Sequence, residues 1–276
     1  MVRIVADTST MYSSEQAKAA GFAVSPLAVT IHSQTYRELD EMTPEHFVSI
    51  IHQGHMPTSS QPSIGDVVEL YQQYPDDEII NIAMADGLSG TYSSAVTAAG
   101  MCEKQDITVI NSGTLCGPHR YMVETAARMA AEGHSKSSIC ERIAEMMKHH
   151  KSFLLPADFD YLRRGGRLSP LVSFVGKTIR RAPVLTHSED GRQLVMSGVK
   201  RSFKQAVGHV IKALEQFGVG DGWHVYITHA DAVHLAEDAK KALLEAFPNV
   251  VFEIHSLTPA FITQGGPGCV AIQAVK

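Results

Sequence analysis

The sequence predicts an α/β protein of two domains: a parallel sheet with helices on both faces, then a mixed-sheet α/β domain. Three observations predict it. Short apolar runs, polar breaks and helix-length segments alternate through the first half, the pattern of a parallel sheet covered by helices. Beyond about residue 150 the texture changes, and the Ser188–Gly191 stretch marks a hairpin beside further crossover helices, which implies a mixed sheet. The chain has 276 residues, 44% hydrophobic and 19% charged, enough length for two ordinary domains and enough apolar mass for a proper core. The predicted division is residues 1–150 and 151–276.

Taken in order, Val2–Ala6 is a β-prone run that breaks at Asp7–Thr10, and helix formers follow from Glu15. Phe22–Thr30 reads as a second strand. Thr43 followed by Pro44 starts a helix, with proline in its first turn, that runs to about His52. His55–Ser63 reads as a polar loop, and Ser63 with Asp66 three residues on opens a helix over Ile64–Tyr74. Ile79–Ala85 is short and apolar enough for a buried strand, and the small residues of Thr91–Met101 form the helix behind it. Ile107–Ile110 is strand-like, with helices at His119–Ala131 and Ser137–Lys148. In the second half, strands are predicted at Ser152–Ala157, Pro183–His187, Gln193–Ser197, His224–Thr228, Val250–Ile254 and Val270–Val275. Helices are predicted at Pro170–Ile179, Lys204–Phe217 and Ala232–Phe247, and Tyr161–Arg167 reads as a basic, glycine-broken turn.

Composition narrows the function. A net charge of −5 without a long basic run argues against nucleic acid as a partner. The one basic cluster, Arg163, Arg164, Arg167, Lys177, Arg180 and Arg181, reads as a solvated face or as a surface for a protein, an anion or a transient membrane contact. No run approaches the roughly 18 apolar residues that span a bilayer. Arg3 and Asp7 interrupt any signal-peptide pattern, and four scattered cysteines suit reduced thiols, so the expected location is cytoplasmic. The fourteen histidines show no metal-ligand spacing, and the expectation is no metal and no cofactor. There is neither a GxGxxG fingerprint nor a P-loop.

The candidate chemistry lies in hydroxyls. Asp7–Thr10, Gly87–Thr91 and Asn111–Thr114 each place small hydroxyl residues directly after an apolar strand, at the sheet edge where α/β proteins bind ligands. Adding Ser59–Ser63 gives a fourth hydroxyl-bearing segment expected to converge on them. Ser89 and Thr91 fall in a strand-to-helix turn, where backbone amides and the positive end of the helix dipole hold a small anion. The plainer reading is that one of them only caps the helix. Gly87-Leu88-Ser89-Gly90 also resembles a nucleophile elbow, but Thr91 stands where GxSxG needs its second glycine. A serine-dependent acyl hydrolase using Ser89 and a binder of some other small carboxylate are therefore the alternatives to be separated from a binding protein.

Several segments together resemble the DegV family, with its FakB-type fatty-acid-binding proteins. They are Ala6–Ser9, Ser59–Ser63, Leu88–Ala95, Tyr161–Leu168, Pro183–Leu185 with Asp190–Gly191, Lys200–Arg201 and Gly266–Gly268. The resemblance implies two α/β domains with a long-chain fatty acid held where they meet, the second domain contributing to the acyl-chain pocket. It implies that Ser59, Ser60, Ser89, Gly90, Thr91, Gln264 and Gly266 bind the ligand, and that Arg201 lies near the head group or a partner. It also implies a protein that is not itself a catalyst and has no catalytic residue, but presents the carboxylate to a separate ATP-dependent fatty acid kinase. Departures from the family pattern are Ser59 for threonine, Ala85-Asp86 for a serine pair, Asn111 for aspartate, Ala182 for lysine and Gln264 for histidine. Glutamine still donates to a carboxylate but carries no charge and moves no proton.

Overall fold

The computed structural model describes residues 1–102, 106–169 and 182–276. The helix predicted at Pro170–Ile179, with Lys177, Arg180 and Arg181 of the basic cluster, lies outside the described residues. The chain divides into two compact units, one formed by Met1–Lys148 with Thr258–Ala260, the other by His149–Leu257 with Phe261–Lys276.

The first unit is built on a parallel sheet of β1 (Val2–Asp7), β2 (Ala23–Ser25), β6 (Glu78–Ala83) and β7 (Ile107–Asn111) in the order β2-β1-β6-β7. Strand alternation sends successive residues to opposite faces. Ile4, Ala6, Ile80 and Ile82 meet α1 (Ser14–Ala19), α5 (Cys116–Ala131) and α6 (Lys136–Met146) in one cluster. Val5 and Ile79 point the other way, onto α3 (Ile64–Gln72) and α4 (Thr91–Met101). Helices thus cover both faces, as the sequence predicts. Ser63 caps α3 through the Asp66 amide at 3.0 Å, also as expected.

A small sheet of β3 (Ala28–Ile31), β4 (Gln34–Arg37) and β5 (Thr58–Ser60), ordered β4-β3-β5, corrects two expectations. Phe22–Thr30 is not one strand. Pro26, which has no N–H for a ladder, separates β2 from β3, and the two join different sheets. The stretch predicted as a polar loop over His55–Ser63 contains β5, whose Ser59 and Ser60 face Val29 and Ala28 across the ladder. Between β4 and β5 lies α2 (Pro44–Ile51), capped by Thr43.

The second unit is a mixed sheet of β8 (His150–Leu155), β9 (Ala182–His187), β10 (Leu194–Lys200), β11 (His224–His229), β12 (Val251–Ser256) and β13 (Val270–Val275), in the order β10-β9-β8-β13-β11-β12. β11 and β12 are parallel and the remaining pairs antiparallel. The predicted β9–β10 hairpin turns on Ser188–Gly191, closed by Ser188 N–H to the Gln193 carbonyl at 2.9 Å, with Gly191 at φ 71°. One sheet face is covered by α8 (Phe203–Phe217) and α9 (Val233–Ala246), whose Val207, Val210, Leu214, Ala236, Ala239 and Leu243 pack on Phe153, Val225, Ile227 and Ile272. The turn predicted at Tyr161–Arg167 is instead a helix, α7 (Phe159–Gly165), capped by Asp158 and ended by Gly166 at φ 71°. A further short helix, α10 (Pro259–Gly265), precedes β13.

Candidate binding loops

The carboxyl ends of β1, β6 and β7 are tied together by their own loops. Asp7 accepts the Ser9 and Met84 amides, each at 2.9 Å. Ala85 N–H donates to the Thr114 carbonyl and Ser112 N–H to the Ala83 carbonyl, also at 2.9 Å. Convergence of these segments is therefore observed, but their chemistry differs from expectation. Thr8, Ser9, Thr10, Ser112 and Thr114 are all fully buried. The hydroxyls of Thr8, Ser9, Thr10 and Ser112 are spent inside the fold: Ser9 Oγ lies 2.5 Å from Nδ1 of His119, whose Nε2 donates to the Ile82 carbonyl at 2.8 Å. Among the hydroxyl residues of these strand-end segments, Ser89 is the one that is half-buried rather than enclosed.

Two of the predicted loops meet there. The Gln61 side chain sits against the α-carbon of Gly90, so close that a Cβ on residue 90 would stand 2.8 Å from Gln61 Nε2. The Ser59–Ser63 segment thus reaches the start of α4 through Gln61. Ser89 Oγ accepts the Thr91 amide at 3.3 Å and lies 2.8 Å from Thr91 Oγ1. The helix cap is Gly90, which supplies no side-chain acceptor, and the first turn carries no acidic residue. Ser89 thus takes the first amide of α4, the capping role of the plainer reading, and no acidic side chain lies in the helix's first turn.

Among the described residues the hydroxyl partner of Ser89 is Thr91, and the one serine–histidine pair described in this unit, Ser9–His119, is wholly enclosed. Among the described residues there is also no group of three or more His, Cys, Asp or Glu side chains placed to hold a metal ion.

In the second unit, Gln264 and Gly266 belong to a packed cluster. The Gln264 side chain lies directly over Gly165, leaving no room there for a Cβ. Gly266, at φ 76°, faces the Tyr161 ring, 2.7 Å from where its Cβ would be. Gly165 and Gly266 are thereby explained by close packing, whereas Gly166 is required by its φ of 71° and Gly268, at φ 84°, faces Ala157. Arg164 stacks on Tyr161 at 4.8 Å and Arg163 pairs with Asp160 at 3.1 Å, so these members of the basic cluster are tied to α7 itself. Arg201 is exposed just before α8, where its backbone amide donates to Gln205 Oε1 at 3.1 Å. Asn111, a departure from the family pattern, accepts the Asp86 and Gly113 amides at 3.3 and 3.1 Å, work that an aspartate would also do.

Two residues escape sequence reasoning. Gln61 lies inside a quoted motif, yet only its contact with Gly90 marks it out. Glu38 has no motif at all: it is fully buried, accepts the Ala260 amide at 2.8 Å and takes Thr8 Oγ1 at 2.5 Å. Burial pushes its carboxyl up to about 7, against the lowering effect of those hydrogen bonds.

Comparison with known proteins agrees with this architecture. The DegV family model matches residues 1–276. A DegV domain-containing protein of Caldanaerobacter subterraneus is 31% identical over 245 residues, covering 88% of this chain and 87% of its own. The crystal structure of DegV from Bacillus subtilis, described as a fatty acid binding protein, superposes with a TM-score of 0.89 at 26% identity, over 99% of this chain and 98% of that one. A DegV family protein from Thermus thermophilus, at 24% identity, shares the fold with a TM-score of 0.90 over 100% and 99% of the two chains.

Proposed function

Because this chain belongs to the DegV family, we propose that it binds one long-chain fatty acid, its carboxylate held by the Ser59–Gln61 and Ser89–Thr91 loops and its acyl tail buried. The observation that carries the reading is the junction of those loops: Gln61 against Gly90, with the Ser89 hydroxyl beside Thr91 at the start of α4. Fatty acid binding by the Bacillus subtilis relative supports it.

The energetics favour a division of labour. Burying about fifteen methylenes at ~0.8 kcal/mol each gives ~12 kcal/mol gross, before the costs of association. Each hydrogen bond to the charged head adds roughly 1.5–3 kcal/mol. The tail sets affinity and the loops set which end faces outward. A carboxylate held by hydroxyls and amides keeps its nucleophilicity better than one clamped by a guanidinium. That property suits presentation to a separate ATP-dependent fatty acid kinase, with an acyl phosphate as product and this protein as the carrier.

The test is calorimetric titration of delipidated protein with hexadecanoate and with its methyl ester, followed by ATP, Mg²⁺ and a fatty acid kinase with hydroxylamine trapping. Tight binding of the acid, weaker binding of the ester and a trapped hydroxamate support the reading. Equal binding of acid and ester contradicts the role of the loops, and absence of hydroxamate removes the kinase partner.

A further inference from the structure

The second unit holds a serine–histidine pair of its own, on β10 and α8. The β9–β10 ladder slips between Met196, opposite Leu185, and Gly198, opposite Val184, so Ser197 is the extra residue of a β-bulge. A bulge bends its strand and re-aims a side chain. Here Ser197 Oγ stands 2.9 Å from Nε2 of His209, in the second turn of α8. Gly198 lets the ring come this close: a Cβ there would lie 3.1 Å from Nε2 and 3.2 Å from Cε1 of His209. Ser197 and His209 are both half-buried, and β10 stands at one end of the described sheet, so solvent reaches the pair. The stem of Lys200 passes the same spot, its Cε 3.5 Å from that Cβ position, and Lys212 follows His209 by about one turn of α8. Among the described residues neither lysine has an ion-pair partner. Burial, then Lys200 and Lys212, hold the His209 imidazole below its ordinary range, against the opposite pull of the Ser197 backbone.

A mere tie between β10 and α8 gains nothing from two unpaired cations beside the ring. A nucleophile gains twice: they keep the imidazole neutral, ready to take the serine proton, and they offset negative charge growing on an attacked acyl group. From this geometry we propose that Ser197 is an acylation site, a nucleophile activated by His209 and supported by Lys200, for activated esters with anionic leaving groups. This chemistry lies wholly within the second unit and is independent of where a fatty acid binds. Ser197 Oγ attacks the acyl carbon as its proton passes to His209 Nε2. The Oγ–C bond forms, the bond from that carbon to the leaving oxygen breaks, and the electron pair departs on that oxygen. The imidazolium then returns its proton to solvent, leaving a serine ester. No carboxylate orients the ring among the described residues, and a serine–histidine pair without one turns over slowly. The acylated chain, formed once, is therefore the expected product.

The experiment treats the full-length protein with 4-nitrophenyl acetate, follows release of 4-nitrophenolate, and maps the acetyl group by tandem mass spectrometry. The expected result is a single burst of nitrophenolate with the acetyl group on Ser197. Ser197→Ala should abolish the burst, and His209→Gln should slow labelling of Ser197 by about a hundredfold or more, the loss of a positioned base. Lys200→Met should slow it as well. Acetyl groups on lysines or on Ser89 with none on Ser197 overturn the assignment. Equal labelling of Ser197 in the wild type and in His209→Gln also overturns it, because the contact is then only a tie. Should His209→Gln fail to fold, the wild-type chain decides alone: Ser197 must take the label faster than the exposed Ser202, and equal rates overturn the assignment.

Discussion

Gly90→Ala separates a ligand-holding contact from a scaffold contact. Gly90 sits at φ −72° and ψ 4°, a backbone conformation that alanine adopts without strain. The new methyl group instead meets Gln61, whose Nε2, Cδ and Oε1 lie 2.8 to 2.9 Å from its position. Gln61 is exposed, so its amide swings aside cheaply. Alanine also lowers unfolded-chain entropy, by about 0.4–1 kcal/mol, so the net change in stability should be under about 1 kcal/mol. Affinity should respond far more, because the displaced amide and the shifted 59–61 loop no longer face the head group. Losing one hydrogen bond to a carboxylate is worth roughly 1.5–3 kcal/mol, or about 10- to 150-fold in Kd. Titration calorimetry with hexadecanoate, beside thermal unfolding, measures both quantities. Combining Gln61→Ala with Gly90→Ala should bind no worse than Gln61→Ala alone, since the methyl then has nothing left to displace. Wild-type affinity in Gly90→Ala, or a stability loss above about 2 kcal/mol, would refute the reasoning.

Other consequences follow from the same geometry. Gly266→Ala should behave oppositely, costing roughly 2–4 kcal/mol in a denaturant melt, because residue 266 is left-handed and its Cβ meets the Tyr161 ring. Ser89→Ala should weaken hexadecanoate binding by no more than about a hundredfold, while acyl phosphate formation falls further; complete loss of binding contradicts tail-dominated affinity. Burial lowers His150 and His187 from 6.5 to about 4, so their neutral forms contribute stability above pH 6.5 that is lost as the pH falls through about 4. Glu38 has the opposite sign: raised from 4.5 to about 7, it contributes stability below pH 4.5 that is lost as the pH rises through about 7. Melts from pH 4.5 to 7.5 should therefore show Glu38→Gln gaining on the wild type by roughly 3 kcal/mol across that window, and parallel curves would contradict the assignment.

Much of this was legible in the residues. Short, nearly continuous apolar runs at Val2–Ala6, Ile79–Ala85 and Val270–Val275 announce strands buried in a sheet. The Ser188–Gly191 hairpin and the Ser63 cap carry their own local chemistry. What escaped was short or held from afar. β5 has only three residues, all hydroxyl-bearing, and pairs because β3 offers it an edge. α7 hides behind two glycines that look like a turn until Gln264 is seen lying over the first of them. The hydroxyl loops illustrate the same limit. Sequence order identifies four candidates for a sheet edge, but only packing shows that Ser9, Ser112 and Thr114 are enclosed while Ser89 meets the surface. Glu38 is the extreme case, since its partner is Ala260 and no pattern within the chain links them.

The central claim is that this protein carries a fatty acid. Native mass spectrometry of the purified protein, followed by organic extraction and lipid analysis, tests it most directly. One bound long-chain fatty acid per chain, recovered intact with a free carboxyl group, is the expected result. Protein that is empty as purified and takes up no added fatty acid would contradict it.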